Sequence, residues 1–288
     1  MYKFIFICCF YTTTLFAQTT PMGTSPKLNI VINEDVYNNY LCMLNNQHVL
    51  AVKNYSGKCS RREVVEIILI QQMLALGGFE YQFILEPDYY NMRERKLIEK
   101  GLLLISVDSV WQNEAKSMTD SVYISPPLIK KGEYQVGFYT AADNKKVLST
   151  TTIEQLKDLS IISNKKWTVD WKSLSQANFT YLHHEKNWVT HAKLVSKHII
   201  DMMLIPFSND NDLTHMIRDI ELTPIPNFVF PLTESRHVII AKHHPLGEKT
   251  YQALLTGMKI MRDNGTITKA FTQSGLLNSK VKHWQRVN

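Results

Sequence analysis

Apolar and polar residues follow two different periods along this chain, and the switches between them mark out its elements. Leu28 to Ile32 is a short apolar run that predicts a strand, followed by a polar loop carrying Glu34, Asp35 and Tyr37. Ser60-Arg61-Arg62-Glu63 has the form of a capping box, in which the Ser oxygen and the Glu side chain satisfy free helix amides. Behind it Val65, Ile68, Leu69, Met73 and Leu76 recur at helical spacing. Gly77-Gly78 then ends the helix, because glycine accepts the left-handed geometry of a C-terminal cap. Phe79 to Leu85 alternates and predicts a strand ended by Pro87, and Arg93 to Lys100 a short charged helix ended by Gly101. Leu102 to Val107 is continuously apolar, as a buried parallel strand would be.

That order, strand, helix, strand, helix, strand, specifies an α/β unit with right-handed crossovers. After the extended Ser125-Pro126-Pro127 the pattern starts again. Strands are predicted at Tyr134 to Tyr139, Leu159 to Ser163, Phe179 to Leu182 and Met202 to Ile205. Helices fall at Ile153 to Asp158, Asp170 to Gln176 and Asn187 to Ile199, and a further one capped by Asp210 runs to Arg218. Beyond Pro231 come a strand at Arg236 to Ala241 and two helices, Leu246 to Asp263 and Thr266 to Thr272. The fold class is therefore α/β, with mixed sheets flanked by helices in two units.

Composition agrees with a folded chain of this kind. The 288 residues are 44% hydrophobic and 20% charged, which suits two ordinary domains with sizeable cores. The net charge of +6 is spread along the chain and not gathered into the basic patch that nucleic-acid binding requires.

Lys3, the apolar stretch Phe4 to Phe16 and the small Ala17 form a secretory signal, residues 1–17, too short for the roughly 20 residues of a membrane span. The expected location is periplasmic. Cys8 and Cys9 lie inside the apolar stretch. Cys42 and Cys59 remain, and in an oxidising compartment they read as a disulfide, with two unpaired thiols as the alternative.

The layout resembles the family 3 extracellular solute-binding proteins, the amino-acid-binding components of bacterial import systems. Five segments carry the resemblance, in order, over about residues 27 to 277. Leu28-Asn29-Ile30-Val31-Ile32 with Tyr37 is similar to the family's opening strand and its cleft aromatic. Leu97-Ile98-Glu99-Lys100-Gly101-Leu102-Leu103-Leu104 is similar to its helix-glycine-strand passage, with Leu where Asp is frequent. Tyr123-Ile124-Ser125-Pro126-Pro127 resembles the approach to the first hinge strand, and Ile153-Glu154-Gln155-Leu156-Lys157-Asp158-Leu159 the helix that opens the second lobe. Met258-Lys259-Ile260-Met261-Arg262-Asp263-Asn264-Gly265-Thr266-Ile267 resembles the closing helix and its glycine break.

The resemblance implies a type 2 periplasmic-binding-protein fold of two lobes joined by two hinge strands. Lobe one is expected at 27–133 plus 232–288 and lobe two at 134–231. It also implies a monomer that binds a small molecule for an importer, with a stand-alone sensor for a membrane receptor, or an enzyme on the same fold, as alternatives. Two positions depart from the family. Lys116 stands near the place of the Arg that forks onto a ligand carboxylate, and Pro206-Phe207 occupies that of the Asp that holds the amine.

Ligand contacts are expected where loops leave the carboxyl ends of strands. Asp108, Ser109 and Trp111 follow the apolar run, offering hydrogen bonds and a stacking face or, alternatively, a loop packed on its own lobe. Glu34, Asp35 and Tyr37 follow the first strand, and Lys116 stands before the Ser125-Pro126 segment. Trp167 and Thr168 precede a helix start, where Thr168 reads either as a ligand contact or as a plain cap. The ten histidines, among them His184, His191 and His198 spaced by seven, show no HExxH or comparable spacing, so no metal is expected. No GxSxG or phosphate-binding glycine loop is present, and neither an enzyme nor a cofactor is expected.

Overall fold

In a computed structural model that describes residues 27–88, 91–208 and 210–288, the chain forms two groups of strands connected by two crossings. The expected secretory segment, residues 1–17, lies outside the described residues. The first group opens with β1 (Lys27–Asn33), α1 (Glu34–Leu44), α2 (Arg62–Leu76), β2 (Gln82–Asp88) and α3 (Asn91–Glu99). It continues through β3 (Val110–Trp111), α4 (Gln112–Ser117) and β4 (Val122–Ile124). The second group holds β5 (Gln135–Ala141), α5 (Lys145–Leu148), α6 (Ile153–Lys157), β6 (Ser160–Ser163) and α7 (Thr168–Gln176). Then follow β7 (Tyr181–His184), α8 (Trp188–Ser196), β8 (Met202–Pro206), β9 (His215–Ile217) and β10 (Ile220–Pro231). The chain returns through β11 (Arg236–His237), β12 (Ile239–Ala241), α9 (Gly247–Asp263) and α10 (Thr266–Gln273), and ends on β13 (Gln285–Arg286).

β1 and β2 are parallel, while β3 pairs with β11 and β4 with β12, both antiparallel. The larger sheet runs β13-β10-β5-β8-β6-β7, with β9 on β10. Its β6 is parallel to both neighbours, and β5 is antiparallel to both of its own. The two crossings lie side by side, because Leu232 N donates to Tyr134 O at 2.9 Å and Arg236 N to Ile129 O at 2.9 Å. The last strand adds to β10, so the end of the 232–288 segment packs on the second group, with Val281 buried there.

α2 organises the first group. Ten of its fifteen residues are buried, including Val64 to Ile70 without a break, so it is a central helix and not a one-faced surface one. α9 covers it with Ala253, Leu254, Gly257, Met258 and Met261, an i, i+3, i+4 stripe. The Gly77-Gly78 stop forms as the sequence predicts, Gly78 taking φ +81.

Several expectations are corrected. Glu34, Asp35 and Tyr37 lie in α1 and not in a loop; the two acids stabilise the first turn against the helix dipole, while Asn38-Asn39 breaks the apolar pattern that would reveal it. The capping box does not form. Arg61 is the N-cap without a side-chain bond, Ser60 Oγ donates to Tyr55 O, and Glu63 turns to arginines instead. β2 runs through Pro87, which pairs with Ile32. Leu102 to Val107 makes no regular parallel strand; Leu102 is 66% exposed, and from Leu104 the segment lies antiparallel to β12 through an isolated Ile105–Ile240 bridge. The 210–218 segment is a turn and β9, since Asp212 accepts from Thr214 N at 3.1 Å in an Asx turn. β10, unforeseen because Pro224, Pro226 and Pro231 argue against a strand, admits them with an irregularity between Pro224 and Val229.

Cys42 and Cys59 are bonded, with Cα atoms 6.0 Å apart, tying α1 to the loop before α2. Replacing both by serine is expected to cost roughly 3 kcal/mol through the loop entropy regained by the unfolded chain. A drop in the urea midpoint would show it; an unchanged midpoint would mean the bond constrains nothing.

Candidate ligand-binding cleft

The amino end of α2 points towards the crossings, and there the chain concentrates its buried charge. Arg62, with its side chain 10% exposed, reaches Glu63 at 2.8 Å, Glu66 at 2.8 Å and Asp108 at 2.9 Å. Arg236, on the returning crossing, stands 3.5 Å from Asp108 and donates through Nε to Ser109 Oγ at 2.9 Å. Ser109 in turn donates its N–H and hydroxyl to Glu66 at 3.0 and 2.7 Å. Arg61 joins Glu63 to Asp35, each at 2.9 Å. Aromatic faces line the same wall. Arg236 lies 4.4 Å over Trp111, Trp111 stacks on Tyr134 at 5.6 Å, and Arg62 lies 5.8 Å over Tyr134. Arginine favours such faces because its planar cation is weakly hydrated.

This setting separates the acids. Burial would raise Glu63 and Asp108, but Arg62, joined by Arg61 at the first and Arg236 at the second, outweighs it and holds both below their ordinary values. Burial raises Glu66 despite Arg62. Glu94, on α3, is pushed up to about 7, first by burial and then by the charge of Asp108. From the second group Asp170, in the first turn of α7, is pushed up to about 6 by burial, against the pull of Arg236 and Arg62. Groups from both sides of the crossings thus act on one another here. Ser173 and Thr233 also meet, at 3.2 Å.

Beside Asp108 a small pocket opens among Glu63, Glu94, Val107, Asn33 and Val36, with about 30 Å³ open to a water-sized group. A larger groove of about 440 Å³ lies at the opposite end of α2, against Met261 and Lys269. Its buried polar groups are spent on each other, Tyr55 Oη donating to Gln72 at 2.7 Å, so the charge chemistry singles out the smaller pocket.

The residues expected from sequence scatter around this centre. Asp108 lines the pocket, Ser109 is fully buried behind it as a support, and Trp111 is in the aromatic stack. Asp35 reaches the cluster only through Arg61; Glu34 is exposed, Tyr37 packs against the core, and Val36 is the α1 residue in the pocket. Lys116 is exposed on α4, with Ala115 buried beside it. Trp167 meets His191 edge-on at 5.5 Å, and Thr168 is exposed without a capping bond. Phe207 is buried against Trp284 and Tyr139, a core residue of the second group. Sequence reasoning missed Arg62, Glu66, Glu94, Tyr134, Asp170 and Arg236. An i, i+4 Arg62–Glu66 pair inside an apolar helix was the readable signal.

Among the described residues no three His, Cys, Asp or Glu side chains converge as metal ligands, and no helix is long and apolar enough to cross a membrane. No family model and no curated protein matches the sequence. Solved structures do match the fold. The probable amino-acid ABC transporter extracellular-binding protein ytmK of Bacillus subtilis aligns with TM-score 0.57 at 11% identity, over 88% of this chain and 99% of its own. Substrate-binding domain 2 of Lactococcus lactis GlnP aligns at 0.53 and 9%, over 90% and 99%. An ancestral cationic amino acid solute-binding protein aligns at 0.51 and 14%, over 86% and 95%. The chain therefore has the two-lobed type 2 fold of the periplasmic binding proteins.

Proposed function

We propose that this chain is a secreted solute-binding protein whose lobes, 27–133 with 232–288 and 134–231, close around a small polar or charged molecule, with the closing β13 of the 232–288 segment lying on the second lobe. One observation carries the reading: Asp170 of the second group lies within the field of Arg62 and Arg236, the two arginines that hold Asp108. The paired crossings are the natural hinge, since two short segments can absorb a rotation of one lobe on the other. The fold is shared with ytmK, an extracellular-binding protein, and with the GlnP substrate-binding domain, which agrees with this role. A disulfide fits an oxidising compartment. The bound form, a monomer, would hand its ligand to a membrane importer. A receptor is the second recipient, favoured because Lys116 is exposed and Phe207 is core, so neither supplies an amino-acid clamp.

A thermal-melt screen against amino acids, amines, organic acids, sugars and short peptides tests this. A ligand at 100 times its Kd adds about 2.7 kcal/mol, a rise of roughly 5–10 °C for a chain this size. A melt that no class moves would overturn the proposal.

A further inference from the structure

Resting on that reading, we infer that the ligand is a primary amine without a carboxylate, its ammonium group seated in the pocket between Glu94 and Asp108. Three observations carry this. The first is charge already committed. Arg61, Arg62 and Arg236 are held by Asp35, Glu63, Glu66 and Asp108, and Arg95 pairs with Glu114. A ligand carboxylate arriving here would meet guanidinium groups already paired with internal acids, with only the buried Arg62 Nε and Arg95 Nε left without a hydrogen-bond partner, whereas an ammonium meets a surplus of acids. The second is a buried acceptor. Glu94 lines the pocket, and its Oε1 is buried without a hydrogen-bond partner. Such an atom is destabilising until a donor reaches it, and –NH3⁺ brings three donors. The third is size. About 30 Å³ of open space holds one or two water-sized groups. That suits an ammonium head and is too tight for a planar guanidinium, so the methylene carbons of the ligand stay outside it.

Binding carries a proton signature. The groups facing Glu94 are Asp108, Glu63, Glu114 and Arg95. Their balance leaves Glu94 half-protonated near pH 7. An incoming ammonium stabilises the carboxylate, so the Glu94 proton leaves to solvent as the amine binds. Affinity therefore rises with pH and is about tenfold weaker at pH 6 than at pH 8.

Matched pairs differing by one carboxylate test the inference: putrescine against ornithine, and cadaverine against lysine, by titration calorimetry in buffers of different ionisation heat. The expected result is binding of the diamines at least tenfold tighter than of their amino-acid twins, with net proton release at pH 7. Glu94→Gln should weaken diamine binding at least tenfold and flatten its pH dependence; if that variant fails to fold, proton release by the unaltered protein still decides. Amino-acid twins that bind as tightly, or diamine binding without proton release, would overturn the inference and leave solute binding intact. Silence of the diamines and of every class in the melt screen would overturn both.

Discussion

Glu66→Ala is expected to lower the folding stability by about 3–5 kcal/mol, the range found when one partner of a buried charge network is deleted. The Glu66 side chain is 0% exposed and accepts from Arg62 and from both donors of Ser109. Its removal leaves a cavity, an under-compensated Arg62 and two buried donors facing nothing. Arg62 retains Glu63 and Asp108, but drawing it towards them pulls it from the face of Tyr134. Glu66→Gln keeps an acceptor for Ser109 and the side-chain volume, so its cost should be well below that of alanine. Melting of the two variants checks this, with a fall of roughly 6–15 °C for alanine. A fall equal in both would mean that the carboxylate charge, and not side-chain volume or a single acceptor, holds the site. An alanine variant within about 1 kcal/mol of the parent would show the network to be decorative.

The elements that the sequence made legible are those whose burial follows one period. α2 and α9 could be read from their apolar spacing and their glycine stops, and β6 and β8 from short apolar runs. What stayed hidden had a physical reason in each case. β10 carries three prolines, tolerable because its ladder is broken between Pro224 and Val229, and no local rule anticipates that. The Leu102 to Val107 run was apolar because Leu104, Ile105 and Val107 are buried, yet its neighbour β12 comes from more than a hundred residues away and in the opposite direction. The candidate site was legible only where it follows a strand-like run, at Asp108, Ser109 and Trp111. Arg236 and Asp170 belong to it through tertiary closure alone, and Glu94 looked like one more charge on a charged helix. The resemblance put the ligand between the lobes and marked Lys116 and Pro206-Phe207 as departures from the family's clamp; Lys116 is exposed and Phe207 is buried.

The second large effect belongs to a glycine. At Gly257 on α9 a Cβ would fall onto the carbonyl oxygen of Met73 on α2, and at Gly77 a Cβ would fall onto that of Ala253. Each helix thus places a glycine against the other's backbone, and backbone, unlike the end of a flexible side chain, cannot swing aside. Gly257→Val must push α9 off α2 and unpack Leu254 and Met258 from Met73, in the same core cluster. We expect a loss above about 4 kcal/mol, the sum of overpacking and opened core. Gly257→Ala should cost about 2–3 kcal/mol, because one methyl already meets the same oxygen. Gly78→Asn supplies the contrast: it too replaces a glycine, at φ +81, but nothing lies within 4 Å and asparagine tolerates that conformation. It should cost less than about 1 kcal/mol. Urea unfolding of the three proteins decides the cause. If Gly257→Ala matches Gly78→Asn, the α2–α9 contact is loose enough to yield. If the alanine variant alone falls steeply, the close approach of two helices is what fixes the amino end of α2, and with it the charge cluster of the cleft.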